Sequence, residues 1–230
     1  MGQATVQEPA LPAVGTPRQE AFGYVCQRCS RCCHDKTIQI NPYEVARLAR
    51  RLGQSTTAFR EASTVDAAGT RLKQTAAGSC VFLGEEGCTV HSDRPAVCRI
   101  YPLQLFTDSD GGEWFEHAEP HPQSEGKITK DGTIAAFLEN QGAIPFIAAS
   151  ELYFRWYCAA KHSVETEPET ASDDHSALLA ATALLDMDLA VAQHCRALGI
   201  AEPKDLDDRM QCHLEILYQQ IDPSRRSAIR

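Results

Sequence analysis

The chain has 230 residues, 43% hydrophobic and 23% charged, and 22 basic against 31 acidic side chains give it a formal net charge of -9. That is enough apolar material for one domain or two small ones, so a wholly disordered chain is excluded. The acidic balance without a dense basic stripe argues against a nucleic-acid partner, and the lack of an apolar run of about 18 residues argues against a membrane partner.

In chain order, residues 1–20 are rich in Pro, Ala, Gln and Glu without an apolar period, which predicts a flexible leader. The start MGQATVQEPA lacks the basic and apolar regions of a secretory signal, and Val6 stands where a myristoylation site wants Ser or Thr. A cytoplasmic location is expected.

Next comes Cys26-Gln-Arg-Cys29-Ser-Arg-Cys32-Cys33-His34, too crowded with ligand-type residues to be an ordinary element and read as a loop wrapped on a metal. Ile38 and Ile40 alternate as in a short strand. Asn41 then supplies an N-cap and Pro42 the first helical position, and Val45, Leu48, Ala49 and Leu52 form a stripe that stops at Gly53.

Between Arg71 and His91 the pattern predicts short β segments, with Gly84 to Gly87 turning a hairpin that brings Cys80 and Cys88 together on its two arms. Ser92 or Asp93 is expected to cap a helical turn carrying Cys98 and ending at Pro102. More β is expected at 103–106 and 113–115, around the turn Asp110-Gly111-Gly112. From Ile134 the pattern turns helical, at 134–141, 145–161, 176–198 and 205–221, interrupted by an acidic linker at 163–174.

The predicted fold class is therefore α+β: a small, irregular, metal-stapled N-terminal half with short β-hairpins, then a helical C-terminal half. The implied domains are a cysteine-cluster unit at 21–142 and a helical region at 143–230.

Of ten cysteines, seven fall in one stretch: Cys26, Cys29, Cys32, Cys33, Cys80, Cys88 and Cys98. Without an export signal, metal ligation is a better reading for them than disulfides. Zinc sites usually pair two C-x2-C knuckles, whereas C-x2-C-x2-C with remote cysteines is closer to a ferredoxin arrangement, so the spacing leans toward iron and sulfur. Neighbouring side chains generally diverge, and the adjacent Cys32 and Cys33 therefore suggest more than one metal ion or a polynuclear centre.

Seven thiols are one short of two four-ligand sites, which makes His34, His91, His117 and His121 candidates for an eighth donor. Arg28, Arg31, Arg94 and Arg99 either offset thiolate charge or are simply solvent-exposed. Cys158, Cys195 and Cys212 read as small hydrophobes on helices, and Phe146, Tyr153 and Trp156 as core.

The run Cys26-x2-Cys29-x2-Cys32-Cys33, then Cys80, then Cys88-Thr-Val-His91-Ser-Asp-Arg94-Pro95-x2-Cys98-Arg99-x-Tyr101-Pro102, resembles the CxxCxxCC family of YkgJ-type cysteine-cluster proteins, described as zinc- or iron-chelating domains. The resemblance runs from about Cys26 to Gln141. The family pattern usually continues with Cys-Pro-Gly, and His121-Pro122-Gln123 followed by Gly126 stands in that place, which makes His121 the implied eighth ligand. A second departure is His91, where such proteins commonly carry Tyr.

Flagellin lysine N-methylases share the cysteine pattern, so the resemblance also implies methyl transfer with S-adenosylmethionine as an alternative, although the chain has no glycine-rich strand-to-helix turn to support a nucleotide-like pocket. The expected function is thus metal binding, of iron as an iron–sulfur cluster or of zinc, in an accessory or redox role. The rivals are a protein-lysine methylase and a zinc-organised module that recruits another protein.

Overall fold

Asn41 opens the first helix of the computed structural model, which describes residues 15–65, 69–108, 111–118, 121–166 and 183–221. Its side chain accepts from the Glu44 N–H and the Glu44 carboxylate accepts from the Asn41 N–H, both at 3.0 Å. Helix α1 (Pro42–Leu52) then ends at Gly53, whose φ of 66° is the left-handed conformation that stops a helix.

The other α-helices among the described residues are α2 (Thr56–Ser63), α3 (Ala96–Ile100), α4 (Ile134–Asn140), α5 (Ile144–Thr166), α6 (Met187–Leu198) and α7 (Leu206–Ile221). Three two-stranded antiparallel pairs join β1 (Ala21–Val25) to β6 (Lys127–Thr133), β2 (Leu83–Gly84) to β3 (Gly87–Cys88), and β4 (Leu103–Thr107) to β5 (Glu113–His117). The fold is α+β, with the strand pairs and shorter helices first and the longer helices last. Among the described residues no helix is long and apolar enough to cross a membrane.

Several elements differ from the sequence expectation. Residues 1–14 of the expected leader lie outside the described residues, but Thr16 exchanges backbone hydrogen bonds with Phe115 at 2.9 and 2.8 Å, and Arg18 pairs with Glu113. The strand at Ile38 and Ile40 is instead a single bridge between Gln39 and Arg71, because the pairing does not extend to either side. Neither Ser92 nor Asp93 caps α3; Asp93 is held by Arg47 at 2.9 Å, and the Ala96 N–H is taken by Glu44 at 2.6 Å.

Within the described part of the expected helix at 176–198, residues 183–186 are not helical and the helix starts at Met187, where Asp186 is the N-cap and accepts from Leu189 at 3.2 Å; residues 176–182 lie outside the described residues. Ser163 to Thr166 of the expected linker continue α5, and its remainder also lies outside, as does Asp110. The β1–β6 pair and α2 were not among the expected elements; Gly23 interrupts one strand, and the other, Lys-Ile-Thr-Lys-Asp-Gly-Thr, is mostly polar and exposed.

Three apolar clusters hold these elements. Ile40, Leu48, Phe59, Leu72, Phe82 and Val90 form one, against which Cys80 and Cys88 pack. Phe22, Leu103, Phe115 and Leu138 belong to a second. The third joins Phe146, Tyr153, Met187, Val191, Cys195 and Leu217, and it also includes Tyr43 and Ala46 of α1 and Ala96 of α3. Core packing therefore runs across residue 142.

His213 is 0% exposed in this third region, with Nδ1 in hydrogen-bond contact with the Tyr153 hydroxyl at 2.9 Å and Nε2 at 2.7 Å from the Leu184 carbonyl. The carbonyl only accepts, so Nε2 carries a proton. Burial lowers its pKa from 6.5 to about 4. The folded state then binds fewer protons than the unfolded one, so this stabilisation is full above pH 6.5 and is lost as pH falls toward 4, by about 3 kcal/mol. Urea unfolding midpoints are expected to fall more steeply between pH 7 and 4 in the wild type than in His213→Gln, and parallel slopes would contradict it.

Candidate metal centre

The loop after β1 folds tightly around its cysteines. Arg28 and Ser30, on either side of Cys29, both adopt left-handed backbone at φ 55° and 59°. The Arg28 N–H donates to the Cys26 sulfur at 3.4 Å, a backbone-to-sulfur contact from two residues on. Arg31–Cys33 then forms one 3₁₀ turn.

This loop is zipped to the segment before the hairpin. The Asp35 N–H donates to the Gly78 carbonyl at 3.0 Å, and the Cys80 N–H donates to the Cys33 carbonyl at 2.8 Å. Gly78 sits at φ 79°, and a Cβ there would meet the Asp35 carboxylate at 2.5 Å, so the close approach requires glycine. The β2–β3 turn is the one expected, with Leu83 opposite Cys88.

Helix α3 brings Cys98 from a third direction. Glu44, 3% exposed, holds its N-terminus, and the Arg99 guanidinium donates to the carbonyls of Ser92, Arg94 at 2.9 Å and Gln141 at 2.8 Å while lying over the Phe146 ring at 4.0 Å. Burial pushes Glu44 up to about 7 and pulls Arg99 down to about 10. Arg99 is thus a buried brace: its donors are spent on carbonyls, and it is neither an exposed residue nor a counter-charge bound to sulfur.

Three loops in this way gather five thiols. Cys33 hydrogen-bonds Cys32, and Cys80, Cys88 and Cys98 each interact electrostatically with Cys32. The bond from Cys33 lowers Cys32 to about 7, helped by its backbone, Arg94 and Lys36. The same bond, with burial and the neighbouring thiols, raises Cys33, while burial first and the other thiols second raise Cys80, Cys88 and Cys98.

One of these thiols ionises readily and the others resist, because each further negative charge is added to a half-buried group that already holds one. A bound cation inverts that balance, since it deprotonates coordinating thiols outright. The donor set is soft sulfur, which suits zinc or iron.

The side chains as they stand gather no group of three or more His, Cys, Asp or Glu able to hold a metal ion among the described residues, so ligation must draw the sulfurs inward from these positions. Cys32 and Cys33 lie together in one 3₁₀ turn, where they interact with each other.

Cys26 is exposed, and Cys29 is partly so. The contacts of His121 run to Tyr101, whose hydroxyl accepts from its N–H at 3.4 Å, and to Gln123, whose N–H donates to Nδ1 at 3.1 Å, which leaves Nε2 for a ligand. His91 receives Arg94 on Nδ1 at 3.2 Å, His117 packs edge-on to Phe22 at 5.5 Å, and His34 lies in the bridge to Ser79.

Of the four arginines, Arg94 interacts favourably with Cys32 and Cys88, and Arg28 adds to the positive surroundings of His91. Cys195 is buried and Cys212 packs beside it, in the role expected of them, with Phe146, Tyr153 and Trp156 in the same cluster; Cys158 is partly exposed.

Sequence reasoning gave no role to Glu44 or Tyr24. The capping position three residues after Asn41 marked the first, and the place two residues before Cys26 was the only signal for the second. Tyr24 packs edge-on to Tyr101 at 6.0 Å, hydrogen-bonds Ser124 and interacts with Cys26 and Cys32; burial raises its pKa, so it stays a donor.

No curated protein and no solved structure matches the chain. Residues 25–123 match a family model, CxxCxxCC, described as a "putative zinc- or iron-chelating domain". All seven clustered cysteines and His121 lie inside that stretch, which is what this chain shares with the CxxCxxCC model.

Proposed function

We propose that residues 25–123 form a metal centre that holds iron as an iron–sulfur cluster, in an accessory or redox role. The observation that carries this reading is the convergence of the segments bearing Cys32 and Cys33, Cys80 and Cys88, and Cys98, which the Cys80 N–H to Cys33 carbonyl bond, the β2–β3 turn and the Glu44 seat of α3 hold together. Five thiols exceed the four donors of a closed zinc site, and the Cys26–Cys29 knuckle beside them adds two more. Cys26, Cys29 and the Nε2 of His121 complete the proposed donor set. Bound in this way, the cluster supplies one-electron chemistry at a potential set by sulfur hydrogen bonds and exposure.

The chain's own residues supply the enclosure. Gly78 lets the two loops close, Glu44 and Arg99 fix α3, and Arg94 places positive charge beside two thiols. Zinc is the second reading, favoured by the Arg28 N–H contact to Cys26, a feature of a metal knuckle that serves zinc as well as iron. A cytoplasmic location belongs with either, since thiols persist unpaired in a reducing compartment.

Anaerobically purified protein decides between the two. A brown solution with iron and acid-labile sulfide in matching amounts is expected; stoichiometric zinc without sulfide removes the iron–sulfur proposal, and protein free of both metals removes the metal centre.

A further inference from the structure

The corner between α4 and α5 grips the segment that carries Cys98. Gln141 closes α4, its N–H donating to the Phe137 carbonyl at 2.9 Å, and a helix end of this kind leaves its last carbonyls without partners in the helix. The Arg99 guanidinium donates to the Gln141 carbonyl at 2.8 Å, where the negative end of the helix favours a cation. The Gln141 side-chain oxygen accepts from Arg94 at 2.7 Å, and the other arm of Arg94 donates to the His91 carbonyl at 2.8 Å. One residue thus holds both arginines that flank Cys98, the first ahead of α3 and the second within it. Phe146 of α5 completes the grip, with the guanidinium groups of Arg99 at 4.0 Å and Arg47 at 4.8 Å from its ring, and Arg47 in turn ties Asp93 at 2.9 Å.

We infer that Gln141 is a positioning residue of the cysteine group: from the helical half it fixes the segment His91–Arg99, and Cys98 with it, so residues 25–123 do not make the site complete without the α4–α5 corner. Gln141 lies beyond the stretch that the family model matches. This role goes beyond the proposed metal centre and does not depend on it, since every bond named joins side chains and backbone of this chain. Helix α3 is five residues long, too short to hold itself by its own bonds. Two guanidinium groups brought to one place also repel, and Gln141 offsets this by giving each an acceptor, while Glu44 holds the start of α3. Hydrogen bonds from charged donors are about twice as strong as neutral ones, so the loss of one is felt locally.

Amide hydrogen exchange on the full-length protein as purified reads the hold on α3, because the Cys98 and Arg99 N–H groups both donate to the Pro95 carbonyl, at 2.9 and 3.0 Å. Wild type, Gln141→Met, Gln141→Ala and Gln141→Glu are compared, with α6 as the internal reference. Methionine keeps the length of the side chain and removes the acceptor, alanine removes it without adding apolar surface, and glutamate keeps it. The α3 amides are expected to exchange roughly tenfold faster in Gln141→Met and Gln141→Ala, as the loss of one hydrogen bond from a charged donor requires, and at the wild-type rate in Gln141→Glu, with α6 unchanged in all.

A merely structural Gln141 would speed exchange in α3 and α6 together, or would not be rescued by glutamate, and either result overturns the inference. Wild-type exchange of α3 in Gln141→Met and Gln141→Ala overturns it as well. None of these readings requires bound metal, so their failure leaves the metal centre standing, and protein without metal leaves the role of Gln141 standing.

Discussion

Stripping the metal with a strong chelator is expected to open residues 26–34 and 78–94 to protease while α1, α2 and the helical cluster stay protected. Structural metal in small thiolate sites is worth about 10–16 kcal/mol, comparable with or above the roughly 5–15 kcal/mol of net stability of an ordinary domain. The loops that carry Cys26 to Cys33 and Cys88 are held by few backbone bonds and contribute few fully buried side chains, so metal ligation would be their largest stabilising term.

Sequence alone predicts that the whole N-terminal half melts. The packing moves the boundary. Tyr43 and Ala46 of α1 lie in the cluster of α5, α6 and α7, and Ile40, Leu48 and Phe59 form apolar contacts of their own. Trypsin should therefore cut after Arg28 and Arg31 in chelated protein and spare Arg47 and Arg50 on α1. Mass mapping of the fragments reads this directly, and identical fragment patterns with and without chelator contradict the coupling.

Replacing Asp186 by Ala is expected to cost about 3–5 kcal/mol, the usual result of breaking a buried pair by removing one partner. The carboxylate is 2% exposed and accepts from the Thr56 hydroxyl at 2.5 Å, the Thr57 hydroxyl at 2.6 Å and the Leu189 N–H at 3.2 Å, with the Arg60 guanidinium at 3.4 Å. It therefore fastens α2 to α6 and caps α6 as well. The variant removes the Asp186 partner of the Arg60 guanidinium, itself only 9% exposed, and an N-cap. Urea denaturation measures the change, and a loss below about 1 kcal/mol would contradict the assignment of Asp186 as the central anchor between the two halves.

What the sequence made legible follows from how local each signal is. Asn41, Pro42 and Gly53 carry start and stop chemistry within one segment, and the helix they bound is where they place it. The Gly84–Gly87 turn is equally local. Glu44 shows the limit of that reasoning: its capping box is local, but its second oxygen reaches Ala96, which is 52 residues away, and takes the N–H that Ser92 or Asp93 was expected to cap.

The site divides in the same way. Cys32, Cys33, Cys80, Cys88 and Cys98 are recognisable by type and clustering, because few other uses account for so many thiols in one stretch. Which of them lie together depends on Gly78, on the β2–β3 turn and on the seat of α3. Arg99 misled because a charge near thiols looks like a counter-ion, whereas its donors answer to the carbonyls of Ser92, Arg94 and Gln141. The pairing of Cys32 with Cys33 was hidden because a 3₁₀ turn of three residues has no sequence period to read.

The most direct test compares two cysteines that the account separates. Cys98 belongs to the five-thiol group, and Cys195 is a buried side chain of the helical core at 1% exposure. Wild type, Cys98→Ser and Cys195→Ser are purified anaerobically from the same medium and their iron and zinc measured per chain. The account predicts that Cys98→Ser loses most of the metal while Cys195→Ser keeps the wild-type load; full loading of Cys98→Ser, or equal loss in both, would contradict it.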